Sequence, residues 1–204
     1  MNPKELIEKL RNSYTYESII EVMDELDKEL FESLNVEQNN KYHKYNVRDH
    51  IAYTVLETPE RECVRLAALL HDIGKISVMT TDEKGNNHFY GHEEASAKMA
   101  DPILDRLGIH GEAKRSILKL VEYHDKFNRD DPKMNRVREV ISDLGYWNVK
   151  DWLDLKYADM MAQSALSYTL KYDRWASLKE MAYQIVQDKT AFRLEDLDLD
   201  ISVR

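Results

Sequence analysis

Apolar positions recur along most of this chain with the three- and four-residue spacing of amphipathic helices. The pattern predicts helices over residues 3–11 and 15–33, and we expect both to cover the core. Residues 37–46 are polar and contain turn formers, so they are predicted to form a loop that brings His43 and Lys44 to the surface. Because no strand-like alternation runs far, the pattern favours an all-α fold.

The next predicted helix begins after Asn46, whose side chain can cap it. Within this helix His50 falls on the same stripe as Val47 and Ile51, so the histidine is expected to face the core. Taken alone, an inward histidine is more often a hydrogen-bonded core residue than a metal ligand.

A second helix in this region is apolar on almost all sides and is therefore predicted to be central. Thr58 and Pro59 are suited to open it, as a cap followed by a proline in the first turn. Gly74 is placed to end it. His71 and Asp72 then lie in its last turn, where the partial negative charge of the exposed carbonyls assists a nearby cation.

A hairpin and another helix are predicted to follow. The turn-forming segment DEKGN predicts at most one short β-hairpin near residues 78–90. A helix is then expected to start near Gly91 and to carry His92 on its apolar face. Pro102 is expected to kink or split this helix.

The last helices place two further polar side chains on apolar faces. From residue 112, the spacing turns His124 inward, and in a helix over residues 149–166 Asp159 takes a position where an apolar residue is expected. An ionised carboxylate buried there is costly, so Asp159 needs a counter-charge, either an arginine or a cation. A final helix over residues 173–188 is predicted to precede an acidic tail.

Together these inward side chains form a set that is too costly to bury without a cation. The set consists of His50, His71, Asp72, His92, His124 and Asp159. Imidazole and carboxylate ligands without thiolate suit iron, manganese, cobalt, nickel or zinc, and they also admit magnesium. Since one catalytic ion with open positions needs fewer ligands, the set predicts one or two divalent ions, with Asp72 able to bridge a pair.

Length, charge and cysteine content narrow the class of protein further. The 204 residues, 43% of them hydrophobic, can bury one core, so we expect a single domain over residues 1–204. Its expected parts are covering helices at 1–33, a metal-binding core at 40–170 and a C-terminal helix and tail at 171–204. The net charge of −9 argues against long nucleic acid as a partner, because basic side chains drive such binding. One cysteine, no apolar secretion signal and no membrane-length apolar segment predict a cytoplasmic protein without a membrane partner.

The segment LLHDIGK, with a helical histidine before it and an aspartate after it, resembles the HD-domain superfamily of metal-dependent phosphohydrolases. The resemblance covers about residues 40–170 and implies an all-helical bundle. It further implies two ligand sets, carried over from the family pattern. The first is His50, His71, Asp72 and Asp159, and the second is Asp72, His92 and His124.

Within that superfamily, KYHKYNVRDH, HFYGHEEAS and EDLDLDI are most similar to the HD portion of bacterial CCA-adding tRNA nucleotidyltransferases. The chain has no room for the nucleotidyltransferase head that precedes this portion, so polymerising activity is not implied. Residues 145–147 read Gly-Tyr-Trp rather than Gly-Tyr-Pro, which argues against the cyclic dinucleotide phosphodiesterases of the HD-GYP group. A stand-alone hydrolase is the interpretation that survives.

The resemblance implies hydrolysis of a phosphomonoester or phosphodiester, and we expect a small phosphorylated substrate, a nucleotide or a short RNA end, attacked by a metal-bound hydroxide. Two further catalytic candidates have competing interpretations. Lys75 either steadies a phosphate oxygen or is a helix-end lysine favoured by the dipole. His43 either contacts substrate or protonates a leaving group, or it is a solvated loop histidine.

Two other classes of function stay open at this stage. One is a regulatory module that binds a metal or nucleotide and catalyses nothing, and the other is a histidine-rich bundle without metal. Retention of all six ligand positions favours the enzyme, because a scaffold could fill them with apolar residues. The natural substrate, the metal and the oligomeric state are not determined by the sequence.

Overall fold

The computed structural model describes residues 2–201, and the side chains of residues 2–189. Its elements are, in chain order, α1 (Pro3–Arg11), α2 (Tyr16–Ser33), α3 (Val47–Glu57), α4 (Glu62–Leu70), α5 (Lys75–Val78), β1 (Thr80–Thr81), β2 (Asn87–His88), α6 (His92–Arg106), α7 (Gly111–Tyr123), α8 (Met134–Leu144), a 3₁₀ turn (Tyr146–Asn148), α9 (Val149–Met161) and α10 (Ala165–Ile201). The all-α prediction is confirmed. The short antiparallel hairpin that joins β1 to β2 also lies where the turn signal placed it.

The centre of the molecule is α4 and the turn that follows it. Residues 64–75 form an unbroken buried run, as the apolar sequence predicts. This run contacts α3, α7 and α9, while α6 packs along α7 and α10 packs against α8 and α9. The N-terminal helices lie outside this group, with α1 against α2 and α4, and α2 against α3. Within the described part of the chain, no helix is both long and apolar enough to cross a membrane.

Local hydrogen bonds explain where several helices begin. Asn46 caps α3 as predicted, since its side chain accepts a hydrogen bond from the backbone N–H of Asp49. Thr15 and Ser18 form a reciprocal capping box at the start of α2. The predicted opening of α4 at Thr58 is wrong, because α4 starts at Glu62 and the Thr58 hydroxyl instead donates to the carbonyl of Val55 at the end of α3.

Gly74 has a different role from the one that the sequence predicts. The central helix ends at Leu70, and Gly74 keeps an ordinary right-handed backbone with φ of −73°. A β-carbon at this position would lie 2.3 Å from the backbone nitrogen of Ser96, so the glycine allows α6 to pack against the turn. The Ser96 hydroxyl accepts a hydrogen bond of 2.9 Å from the Gly74 N–H in the same contact.

Several predicted boundaries in the second half are also wrong. Pro102 does not split α6, which continues to Arg106. The helix predicted over 149–166 stops at Met161, and the final helix begins at Ala165 instead of residue 173. Helix α8 was missed, although Val137, Ile141 and Leu144 form a regular buried face. Of the acidic tail, residues 202–204 lie outside the described residues.

Candidate metal centre

Elements that are distant in sequence bring the six predicted ligands into one buried cluster. His50 comes from α3, Asp159 from α9, and His92 is the first residue of α6. His71 and His124 each follow directly after a helix, so their side chains leave at its carbonyl end. All six side-chain positions are buried, and none of the residues is more than 8% exposed.

The carboxylate of Asp72 lies between two pairs of histidines. Its Oδ2 atom is 3.2 Å from His71 Nε2 and 3.4 Å from His50 Nε2. Its Oδ1 atom is 3.2 Å from His92 Nε2 and 3.7 Å from His124 Nε2. A single carboxylate therefore presents one oxygen to each pair, which is the arrangement that a bridging ligand requires.

The imidazole rings are oriented by backbone carbonyls. Nδ1 of His71 lies 2.7 Å from the Ala68 carbonyl, and Nδ1 of His124 lies 2.7 Å from the Val121 carbonyl. His92 makes the same contact, at 2.9 Å, with the carbonyl of the residue three before it. A carbonyl can only accept, so Nδ1 carries a hydrogen in each ring and Nε2, the nitrogen that points into the cluster, is the one available to a metal.

These orientations bring the Nε2 atoms of neighbouring rings close together. The Nε2 atoms of His92 and His124 are 3.1 Å apart, and those of His50 and His71 are 3.4 Å apart. Asp72 Oδ1 is buried beside the first pair and has no hydrogen-bond partner among the described residues. Lone pairs and a buried orphan oxygen that converge in this way fit a cation, because it satisfies all of them at once.

Asp159 completes the half of the cluster that holds His50 and His71. Its Oδ1 atom lies 2.9 Å from His50 Nε2 and 3.9 Å from His71 Nε2. Gln163 donates its amide to both carboxylate oxygens, at 2.9 and 3.0 Å. The amide oxygen of Gln163 in turn accepts from Lys171 Nζ at 2.8 Å. The sequence prediction missed Gln163, although its spacing of four residues from Asp159 is a helical signal.

Burial and neighbouring charges shift the pKa values of the predicted ligands. Burial raises the pKa of Asp72, but His71 and Lys75 outweigh it and lower that pKa well below its ordinary value. Burial also opposes the ionisation of Asp159, whose pKa is lowered by the hydrogen bond from His50 and by Lys171. For His124, burial and then the neighbouring histidines lower the pKa to about 3, so its ring is neutral.

The side chains that lie close enough to share a metal ion do not all match the two predicted ligand sets. Atoms within 4.8 Å of one another form three triads. These are His50 with His71 and Asp159, His71 with Asp72 and His124, and His92 with Glu93 and Asp125. Asp125 was not predicted, since it follows His124 directly in the chain and its side chain has no helical periodicity to mark it. The structure places it at the floor of the same cleft, where Asn128 donates to it.

Lys75 is neither solvated nor at the carbonyl end of a helix. It is the first residue of α5 and only 4% exposed, which contradicts the interpretation as a helix-end lysine. Its Nζ atom lies 2.7 Å from Asp72 Oδ2 and donates to the side chain of Gln38 at 2.9 Å. Lys75 therefore touches the cluster directly, beside Asp72.

His43 is turned inward, so the expectation of a loop histidine at the surface is wrong. Its ring meets the ring of His50 edge-on with 5.3 Å between the centroids, and its buried Nδ1 atom has no hydrogen-bond partner among the described residues. Burial and then the charge of Lys75 lower the pKa of His43 to about 2. The ring is neutral at physiological pH and offers a hydrogen-bonding group rather than an acidic proton.

A cleft of about 770 Å³ opens above the cluster. Four cationic side chains line it in addition to Lys75, and they are Lys41, Arg129, Lys171 and Arg174. His88 and Tyr90 stack in parallel at its edge, with their ring centroids 5.6 Å apart. His110, in contrast, is exposed directly before α7, as expected for a surface residue.

A protein-family model described as the HD domain matches residues 40–166. The matched range contains all six clustered ligands, together with Lys75 and His43. No curated protein matches the chain.

Proposed function

Because the chain belongs to the HD domain family, we propose that it is a metal-dependent phosphohydrolase acting on a phosphate ester of a nucleotide or a short RNA end. The observation that carries the proposal is the position of Asp72, one oxygen of which faces each histidine pair. Side chains that converge in this way around a shared carboxylate are the ligand set of a pair of divalent ions.

In this proposal His50, His71, Asp72 and Asp159 would hold one ion, and Asp72, His92 and His124 would hold the other. When bound, such ions lower the pKa of water and offset the charge that develops on phosphoryl oxygens. Iron, manganese, cobalt, nickel and zinc all suit these ligands.

The chain's own residues would bind and orient the phosphate ester. Lys75 lies 2.7 Å from Asp72, so a phosphoryl group at the cluster is within reach of its ammonium. His43 is neutral and half-buried beside His50, where it would offer a hydrogen bond to the substrate. The cleft accommodates a small molecule, and the net charge of −9 opposes binding of long nucleic acid.

The decisive experiment is an assay of the full chain with Mn²⁺ against a phosphomonoester, a phosphodiester and a series of nucleotides. We expect turnover with at least one ester class, lost on chelation and in Asp72→Ala. Asp173→Ala, an exposed position on α10, is the control and should retain activity. Binding of metal or nucleotide without turnover of any ester would instead support a non-catalytic regulatory module.

A further inference from the structure

We propose that Arg129, Lys171 and Arg174 form a second phosphoryl-binding subsite in the cleft, and that the substrate carries a second phosphoryl group close to the one that is hydrolysed. The inference rests on the proposed function for the identity of the first group. The second group is inferred from cations that the metal cluster does not use.

Lys171 stands close to the cluster but is not paired with an acid. Its Nζ atom donates to the amide oxygen of Gln163 at 2.8 Å, and the amide nitrogen of Gln163 donates to Asp159. Among the described residues, no carboxylate lies within ion-pair distance of Lys171. Only one carboxamide therefore separates this ammonium from a proposed metal ligand, which places it beside a phosphoryl group held there.

Arg129 supplies a second cation without an acidic partner. Its guanidinium lies over the ring of Tyr90, with 5.6 Å to the ring centroid, and the described residues provide no carboxylate for it. Tyr90 is 66% exposed and lines the same cleft. A guanidinium in this position keeps its planar set of donors free for a phosphate, which it can bind through two parallel hydrogen bonds.

The loop that carries Arg129 is held firmly against α9 and α10. Arg174 donates to the carboxylate of Asp131 at 2.9 Å and lies 3.5 Å from the carbonyl of Asn128. The buried ammonium of Lys156 donates to the carbonyl of Lys126 at 2.6 Å and to the Asn128 side chain at 2.7 Å. These contacts hold the loop and Arg174 in place before a ligand arrives, which reduces the entropic cost of binding.

The charge balance of the cleft indicates an anion beyond the first phosphate. The ions and Lys75 would offset the charge of a phosphoryl group at the cluster. Arg129, Lys171 and Arg174 lie on the wall formed by α10 and the loop before α8, and of these Arg174 is also paired with Asp131. A second phosphoryl group reaches this wall either as part of a diphosphate or as the neighbouring phosphate of a nucleoside bisphosphate or short oligonucleotide. Both sources present the same chemistry to the arginines.

Calorimetric binding of nucleotides to the metal-free full chain tests the subsite without turnover. We expect ADP or adenosine 3′,5′-bisphosphate to bind at least about tenfold more tightly than AMP, since one charge-assisted hydrogen bond to the second phosphate is worth at least that factor. Arg129→Met should remove most of this advantage, because it should weaken binding of the doubly phosphorylated nucleotide more than binding of AMP. Arg138→Met, an exposed arginine on α8 outside the cleft, makes the same charge change and should have no effect. Whichever of the two ligands gains identifies the source of the second phosphate.

Lys171→Met provides an independent variant, with metal content measured in parallel because Lys171 also contacts Gln163. Equal affinities for AMP and the doubly phosphorylated nucleotides, or an advantage that survives in both variants, would overturn the subsite. The proposed function fails separately. Tight, Arg129-dependent binding with no turnover of any ester would support the subsite and contradict the proposed hydrolase activity. Turnover that does not depend on the second phosphate would support the hydrolase activity and contradict the subsite.

Discussion

Gln163 donates its side-chain amide to both carboxylate oxygens of Asp159, at distances of 2.9 and 3.0 Å. The pair is buried, with Gln163 5% and Asp159 3% exposed. One donor group shared between two oxygens fixes the plane of the carboxylate and leaves its other lone pairs directed at His50 and His71. Such an outer contact sets the direction of a ligand without binding the metal itself.

We therefore expect Gln163→Leu to weaken metal binding by about 10- to 100-fold while the fold is retained, because outer-shell partners of ligands typically contribute that much. Metal titration followed by calorimetry measures the change. Gln184→Leu, at an exposed position of the same helix, is the matched control and should bind metal as the unaltered protein does. Equal affinities in the two variants would show that Asp159 does not need Gln163 for its orientation.

A methyl group at Gly74 is expected to disturb both stability and the cluster. In Gly74→Ala the new carbon would meet Ser96 N at 2.3 Å and the His92 carbonyl at 2.8 Å, so α6 must shift. Overpacking of this kind costs typically about 1–3 kcal/mol, and here it also moves His92 away from Asp72. The free energy of unfolding, measured by chemical denaturation, and the metal content should both fall. Gly85→Ala has open space but a positive φ of 79°, so it should cost stability without changing metal content.

The sequence predicted the cluster itself well, and the reason is physical. A histidine or aspartate in an otherwise apolar helical stripe conflicts with burial, and this conflict is visible at His50, His124 and Asp159 without any structure. Helix α4 was predicted to be central because its residues are apolar on almost all sides. Patterns that follow from helical periodicity are local, so they can be read along the chain.

What the sequence did not reveal depends on contacts between distant segments. His43 was expected at the surface, and a helix-end position was one of two interpretations for Lys75. In the structure His43 turns towards His50, and Gln38 accepts a hydrogen bond from the buried Lys75. Gly74 looked like a helix terminator, and only the approach of α6 shows why a side chain is excluded there. Close approach and loop burial are tertiary properties that periodicity does not encode.

Metal binding is expected to stabilise the protein, because it satisfies the buried lone pairs of the cluster. With free metal at about a hundredfold excess over its dissociation constant, the gain is about 2.7 kcal/mol, or roughly 5–10 °C in melting temperature for a chain of this size. Thermal unfolding with and without Mn²⁺ or Zn²⁺ measures the shift. Asp72→Ala, which removes the shared carboxylate, should abolish it, and a shift that persists in this variant would locate the metal elsewhere.

Metal binding should also release protons and weaken as the pH falls. Burial opposes protonation of His71 and His92, but the charge of Asp72 outweighs it and raises the pKa of both rings. The metal-free rings therefore hold protons at higher pH than free histidine does, and a cation must displace them. We expect metal occupancy to decline below about pH 6 and calorimetry in buffers of different ionisation enthalpy to detect proton release. A metal affinity that does not change between pH 5 and 8, about 1.5 units on each side of the ordinary histidine pKa, would contradict this ligand set.

Lys156 should give the folded protein a distinctive alkaline stability profile. Lys156 is 5% exposed, and its ammonium donates to the carbonyl of His124 at 2.9 Å. Burial lowers its pKa from 10.5 to about 8. Between these two values the unfolded chain binds the proton more strongly than the folded chain. Stability from this residue must therefore rise with pH across that window, by at most about 1.4 kcal/mol per pH unit.

Denaturant unfolding of the unaltered protein and of Lys156→Met, compared from pH 7.5 to 10.5 in steps of about half a unit, isolates the contribution of this lysine because other titrating groups cancel. Lys156→Met also leaves buried carbonyls without a donor, so it should be less stable throughout by roughly 1–3 kcal/mol. The gap between the two proteins should widen as the pH rises. A gap that narrows would mean that the hydrogen bonds to the α7 terminus keep the ammonium charged, with the folded pKa above that of the unfolded chain. Lys179→Met, on α10 over the ring of Trp175, should show no such pH dependence.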